Sequence, residues 1–167
     1  MTQWYNDKLS SDYFNLSRRK TMPCINPYLS FNGNCEAAFR FYQSVFGGEL
    51  ELYRFKETPP EEEGGYPIAE SEQNRVMHVS LPIGNNVLMG CDTSDVSGPK
   101  ANFGDNIGLS ICAESEEEAL RIFNALSAGG QITMPMEKTF WADLFGMLID
   151  QFGVPWMVNY EAGKCCK

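Results

Sequence analysis

The chain is poor in the side chains that most often build metal chemistry. It has one histidine, His78, in 167 residues. A single imidazole does not make a metal centre, which needs several N, S or O donors around one ion. Cations are also in the minority, with 13 Lys and Arg against 22 Asp and Glu and a formal net charge of −9. Such a surface repels phosphate backbones and anionic bilayers, so neither nucleic acid nor membrane is an expected partner. No run approaches the roughly 18 apolar residues of a membrane-spanning helix. The opening segment MTQWYNDKLSSDYFNLSRRKTM lacks the apolar stretch of a secretory signal, and a cytoplasmic location is expected. The six cysteines show neither CxxC spacing nor a dense disulfide framework. Cys24, Cys35, Cys91 and Cys112 fall singly in apolar elements and read as small buried hydrophobes. Cys165 and Cys166 sit in a polar tail.

What is present is a repeat. NGNCEAAFRFYQSVFGGEL at 32–50 and ESEEEALRIFNALSAGGQI at 114–132 share one plan of cap, amphipathic helix, Gly-Gly stop and strand. In the first copy Asn34 is the expected N-cap, and Ala38, Phe41, Tyr42 and Val45 recur at helical spacing up to Gly47-Gly48. In the second, Ser115 with Glu118 makes a capping box. Ala119, Ile122, Phe123 and Leu126 form its apolar face up to Gly129-Gly130.

Strands are predicted at 25–31, 49–55, 75–83, 86–92, 106–113, 131–134, 140–150 and 155–160. A turn is expected at 135–139, a loop at 56–74 with the acidic run Glu61–Glu63 at its tip, and a linker at 93–104. Each copy is therefore a βαβββ module of an α+β fold. Residues 1–21 read as an N-terminal extension and 22–161 as one domain, made of modules 22–97 and 103–161. Residues 162–167 read as a tail.

NPYLSFNGNCEAAFRFY, RVMHVSLPIGNNVLMGCD, TFWADLFGMLIDQFGVPWMVN and the closing GVPWMVN resemble the PhnB-like branch of the glyoxalase, bleomycin-resistance and extradiol-dioxygenase group, the vicinal oxygen chelate superfamily. The resemblance spans about 25–161. It implies two βαβββ modules whose curved mixed sheets surround a cleft, and a homodimer. It also implies a divalent metal held by His and Glu from four cleft strands. Those positions fall near Pro27, Met89 or Gly90, Asn106 and Met157, which are poor ligands for such an ion. No cofactor is therefore expected and no metal residue is assigned. A divalent metal held by other ligands is the alternative.

Strand alternation sorts the rest. Met77, Val79 and Leu81 should pack under a helix, which turns His78 and Ser80 into the cleft. Ile107, Leu109 and Ile111 should do the same and leave Asn106, Gly108 and Ser110 inward. Met157 and Asn159 separate from Trp156, Val158 and Tyr160. With Tyr28, Ser30 and Trp141 these give the expected ligand-binding set: Tyr28, Ser30, His78, Ser80, Asn106, Ser110, Trp141, Met157 and Asn159. Phe140 reads as core or dimer packing. The pocket so composed suits a small, partly apolar molecule.

The expected function is small-molecule binding, as in the drug-resistance members of the superfamily. The alternative is an enzyme acting on a small carbonyl or similar substrate, with His78 as base or atypical metal ligand. A non-catalytic dimeric scaffold is a third reading. Relatives of this branch carry the label of a demethylubiquinone methyltransferase, yet no glycine-rich loop follows a strand in a Rossmann unit here.

Overall fold

A computed structural model describes residues 25–59, 68–94 and 99–163. The expectations for the N-terminal extension, the tip of the acidic loop and the cysteine tail lie outside these residues. Two four-stranded sheets are present. The first holds β1 (Tyr28–Phe31), β2 (Glu51–Arg54), β3 (Val76–Ile83) and β4 (Asn86–Asp92) in the order β1-β4-β3-β2. The second holds β5 (Leu109–Cys112), β6 (Gln131–Glu137), β7 (Leu144–Ile149) and β8 (Pro155–Tyr160) in the order β5-β8-β7-β6. In each sheet the first strand pairs parallel with the last and the remaining pairs are antiparallel. The repeat in the sequence is thus a repeat in topology. No helix among the described residues is long and apolar enough to cross a membrane.

Helices α1 (Cys35–Phe46) and α2 (Glu116–Ser127) each cover one face of a sheet. From α1, Cys35, Ala38, Phe39, Tyr42 and Val45 are buried, and from α2, Ala119, Ile122, Phe123 and Leu126. Both sets follow the 3.6-residue period and join one core with Val79, Leu81, Leu148, Trp156 and Val158. The fit under α1 is close. A Cβ at Gly90 would stand 2.7 Å from both the Leu29 carbonyl oxygen and the Phe39 ring, so only glycine lets the helix approach. Neither helix has a basic residue of its own in its last turn. Arg121 of α2 supplies one for α1, donating from Nη1 to the Val45 carbonyl at 2.8 Å.

Several boundaries differ from the sequence reading. Ser115 caps α2 as expected, accepting from Glu118 N at 3.1 Å. Asn34 makes no side-chain cap bond. Asp92, at the end of β4, takes that role through Oδ1, which accepts the N–H groups of Gly33 at 2.7 Å and Cys35 at 3.0 Å. On β3 the first buried residue is Val76 rather than Met77, because a register shift at Tyr53/Arg54 offsets the start of the strand. β6 runs through the predicted turn at Pro135. It is an edge strand with register shifts, where a missing N–H is tolerated. β7 then starts at Leu144, which leaves Phe140 and Trp141 in the preceding turn. Phe140 is 96% exposed and does not belong to the core.

Candidate functional site

Among the described residues, each sheet has one face under its helix and one face left open. The registers define the open faces, because residues directly opposite on paired strands point to the same side. On the first sheet Tyr28 pairs with Met89, Met89 with Ser80 and Ser80 with Glu51. Ser30 pairs with Cys91, and His78 with Tyr53. On the second sheet Ser110 pairs with Met157, Met157 with Met147 and Met147 with Met134. Cys112 pairs with Asn159, Asn159 with Phe145 and Phe145 with Glu137.

Eight of the nine predicted binding residues therefore belong to open-face positions or stand against them. Tyr28, Ser30, His78 and Ser80 share the first face, and Ser110, Met157 and Asn159 the second. Trp141 stacks edge-on against Phe145 at 5.6 Å, which sets it over the second face. Asn106 is the exception. It lies ahead of β5, exposed, because the strand begins at Leu109 rather than at residue 106. Ile107, expected under the helix, is 71% exposed for the same reason.

The two modules meet at one place, which of the predicted binding residues only Tyr28 and Ser30 reach. β1 and β5 are the edge strands of their sheets, and an open hollow of about 330 Å³ lies between them. Tyr28 and Ser30 line it from the first module, and Ile107, Leu109 and Pro155 from the second. Phe103 walls it from the linker, resting on Phe31 with ring centroids 6.3 Å apart. Among the described residues, no hydrogen bond or ring contact joins His78 or Ser80 to Ser110, Met157 or Asn159.

Tyr28 connects the hollow to the histidine. Its hydroxyl is 3.5 Å from His78 Nδ1, and the rings are 5.9 Å apart. The Cys91 thiol lies close enough to the same hydroxyl to act on its ionisation. Burial, followed by the Cys91 contact, pushes the Tyr28 phenol well above its ordinary range, so it remains a neutral donor. Cys91 was missed by the sequence reading. Alternation along β4 would have placed it on the face of Met89, but its neighbours become visible only through the pairing of β1 with β4. Of the other cysteines expected as buried hydrophobes, Cys35 is buried and free. Burial and the nearby Asp92 carboxylate raise its thiol. Cys112 is half-buried and is disulfide-bonded rather than free.

The metal positions implied by the resemblance also shift. Pro27 precedes β1 and offers its carbonyl to Met89 N at 3.0 Å. Gly90 faces Phe39 rather than the open side. The open-face residues nearest those positions on β1, β4, β5 and β8 are therefore Tyr28, Met89, Ser110 and Met157. A neutral phenol, a hydroxyl and two thioethers do not fit a divalent cation that takes His and Glu. Among the described residues no group of three or more His, Cys, Asp or Glu side chains could hold a metal ion.

A family model described as 3-demethylubiquinone-9 3-methyltransferase matches residues 23–159. The chain is 40% identical to protein PA1353 of Pseudomonas aeruginosa, covering 84% of this chain and 98% of that one, with a TM-score of 0.74. It is 36% identical over 141 residues to Protein YjdN of Escherichia coli K12, covering 81% of this chain and 93% of the relative. A PhnB protein of Bacillus cereus, described as a putative 3-demethylubiquinone-9 3-methyltransferase, is 26% identical with a TM-score of 0.65, covering 83% and 99%. In fold alone the chain is also like a glyoxalase-related enzyme of Fulvimarina pelagi, at 18% identity and a TM-score of 0.55, covering 84% and 89%.

Proposed function

Since the chain belongs to the PhnB-like family described as 3-demethylubiquinone-9 3-methyltransferase, with a glyoxalase-like fold, we propose that it binds a small, partly apolar molecule between β1 and β5. The carrying observation is the composition of that hollow. Phe103, Ile107, Leu109 and Pro155 offer carbon surface, and Tyr28 and Ser30 bring polar groups at one end, next to His78. Apolar walls with a few convergent polar groups are what a small-molecule site needs. Methyl transfer is not part of this reading. Each sheet has a single parallel pair, unlike the doubly wound parallel sheet that carries nucleotide-type cofactors.

We take the binding unit to be a homodimer with no cofactor, in the cytoplasm. Tyr53, Met147 and Trp141 leave apolar surface on or beside the open faces, and a second copy would cover it. The net charge of −9 argues against nucleic acid and membrane as partners. The Tyr28–His78 contact favours a second reading, an enzyme in which His78 acts as general base.

The test is ligand-observed NMR with neutral cyclic ketones and phenols on EDTA-dialysed protein. Binding is expected without metal and is lost in Ile107→Trp, which fills the hollow from an exposed position. Binding that needs a stoichiometric Zn²⁺, Ni²⁺ or Mn²⁺, itself lost in His78→Ala, overturns the metal-free reading.

A further inference from the structure

Cys91 is a free thiol on the open face of the first sheet, next to the strand that lines the hollow and not in the core. It is half-buried on β4, beside Ser30 of β1. Along β3 and β4, Ser80 opposes Met89 and Val79 opposes Gly90. His78 and Cys91 are the residues next beyond the last of these pairs, on adjacent strands and on the same open face. Tyr28, on the far side of β4, reaches across it, with its hydroxyl 3.5 Å from His78 Nδ1 and the Cys91 thiol close by. A nucleophile, a base and a neutral hydroxyl donor thus share one face of three adjacent strands. Of the three, Tyr28 lines the apolar hollow, together with Ser30, the β1 partner of Cys91.

We propose that Cys91 captures soft electrophiles covalently, with α,β-unsaturated carbonyl compounds as the ligand class. This deepens the binding reading, because the hollow holds the carbon skeleton while the thiol reacts. In the step, His78 takes the thiol proton and the sulfur attacks the β-carbon. The C–S bond forms as the C=C π pair shifts toward the carbonyl oxygen, giving an enolate. The imidazolium then returns the proton to the α-carbon. The sum is addition of S–H across C=C, with no oxidant, reductant or co-reactant. The Tyr28 hydroxyl steadies the sulfur as charge develops, because a donor strengthens its hydrogen bond to an anion. Cys35 lacks this chemistry. It is fully buried, and the Asp92 carboxylate next to it disfavours a thiolate.

The experiment treats the full chain with cyclohex-2-enone and follows each cysteine by peptide mass spectrometry. Cys91 is expected to gain one enone faster than any other cysteine in the chain. His78→Gln should slow that reaction about tenfold or more at neutral pH. The gap should close above about pH 9, where a thiol ionises without a base. That pH profile separates a proton-handling role from a structural one. Equal rates for Cys91 and free glutathione, or an unchanged rate in His78→Gln, overturn the proposal. Cyclohexanone, which lacks the C=C, separates the two readings. Reversible binding of cyclohexanone without Cys91 labelling by the enone leaves the binding reading standing and sinks covalent capture. Fast, His78-dependent labelling of Cys91 supports capture even where cyclohexanone binds too weakly to detect.

Discussion

The Tyr42 hydroxyl donates a 2.8 Å hydrogen bond to Asp150 Oδ2, across 108 positions of sequence. It ties α1 of the first module to the turn after β7 of the second. Trp156 Nε1 donates to the same oxygen at 2.8 Å, and the N–H groups of Phe152 and Val154 donate to Oδ1 at 2.8 and 3.0 Å. Burial, then the Asp150 charge, pushes the Tyr42 phenol upward, so it stays a donor. Tyr42→Phe should cost about 1.5–3 kcal/mol, the range for a hydrogen bond to a charged partner. Asp150→Ala should cost more, because it strands four donors at once. Urea denaturation measures both. An unchanged midpoint for Tyr42→Phe would show that the bond adds nothing to module docking.

Asp92 is the corresponding fastener inside the first module. It is 2% exposed, and its two oxygens accept three backbone N–H groups, from Gly33, Cys35 and Val76. Asp92→Asn presents an amide donor to one of those donors. It is expected to lose about 1–3 kcal/mol, the cost of a buried group left unpaired. Hydrogen exchange should show the loss first at the start of α1. Asn34→Ala should be nearly neutral, since Asn34 makes no cap bond. A larger loss for Asn34→Ala than for Asp92→Asn would reverse the assignment.

Acid should weaken the protein partly through Glu36. Its carboxyl is held below the usual range, chiefly by the Arg54 hydrogen bond and further by Arg40, with burial opposing. Both bonds are short, at 2.6 Å to Arg54 and 2.8 Å to Arg40. A depressed folded pKa contributes stability above the unfolded value of about 4.3. That contribution fades as pH falls through the folded value. The wild type should therefore exceed Glu36→Gln at pH 7 and converge with it as pH falls through the lowered folded value. The groups are partly exposed, so a gap below about 1 kcal/mol is expected. Parallel stability curves over that range would remove Glu36 from the acid response.

The homodimer reading turns on the second open face. Met134, Met147 and Met157 lie in one cross-strand row, and Met147 is 37% exposed. Light scattering should give a dimer mass for the wild type. Met147→Lys should raise the dissociation constant at least tenfold without lowering the monomer's helix content. A wild-type chain that stays monomeric at 100-fold the assay concentration would end this reading.

Much of the architecture was legible in the chain alone. The 3.6-residue period of Ala119, Ile122, Phe123 and Leu126 set the buried face of α2, and period-two alternation put His78 and Ser80 opposite Val79 and Leu81. These are local rules, in which a residue's side follows from its own segment. Tertiary structure decided which segments meet. Tyr28 reaches Cys91 because β1 pairs parallel with a strand some sixty residues away. Asp92 displaced Asn34 as the cap because that same pairing ends beside the start of α1. Local spacing is silent on such partners, since an extended chain can pair with any compatible edge. The choice is made by burial of both modules in one core. For the same reason Cys91 reads as a small hydrophobe in one dimension and as an open-face thiol beside Tyr28 in three.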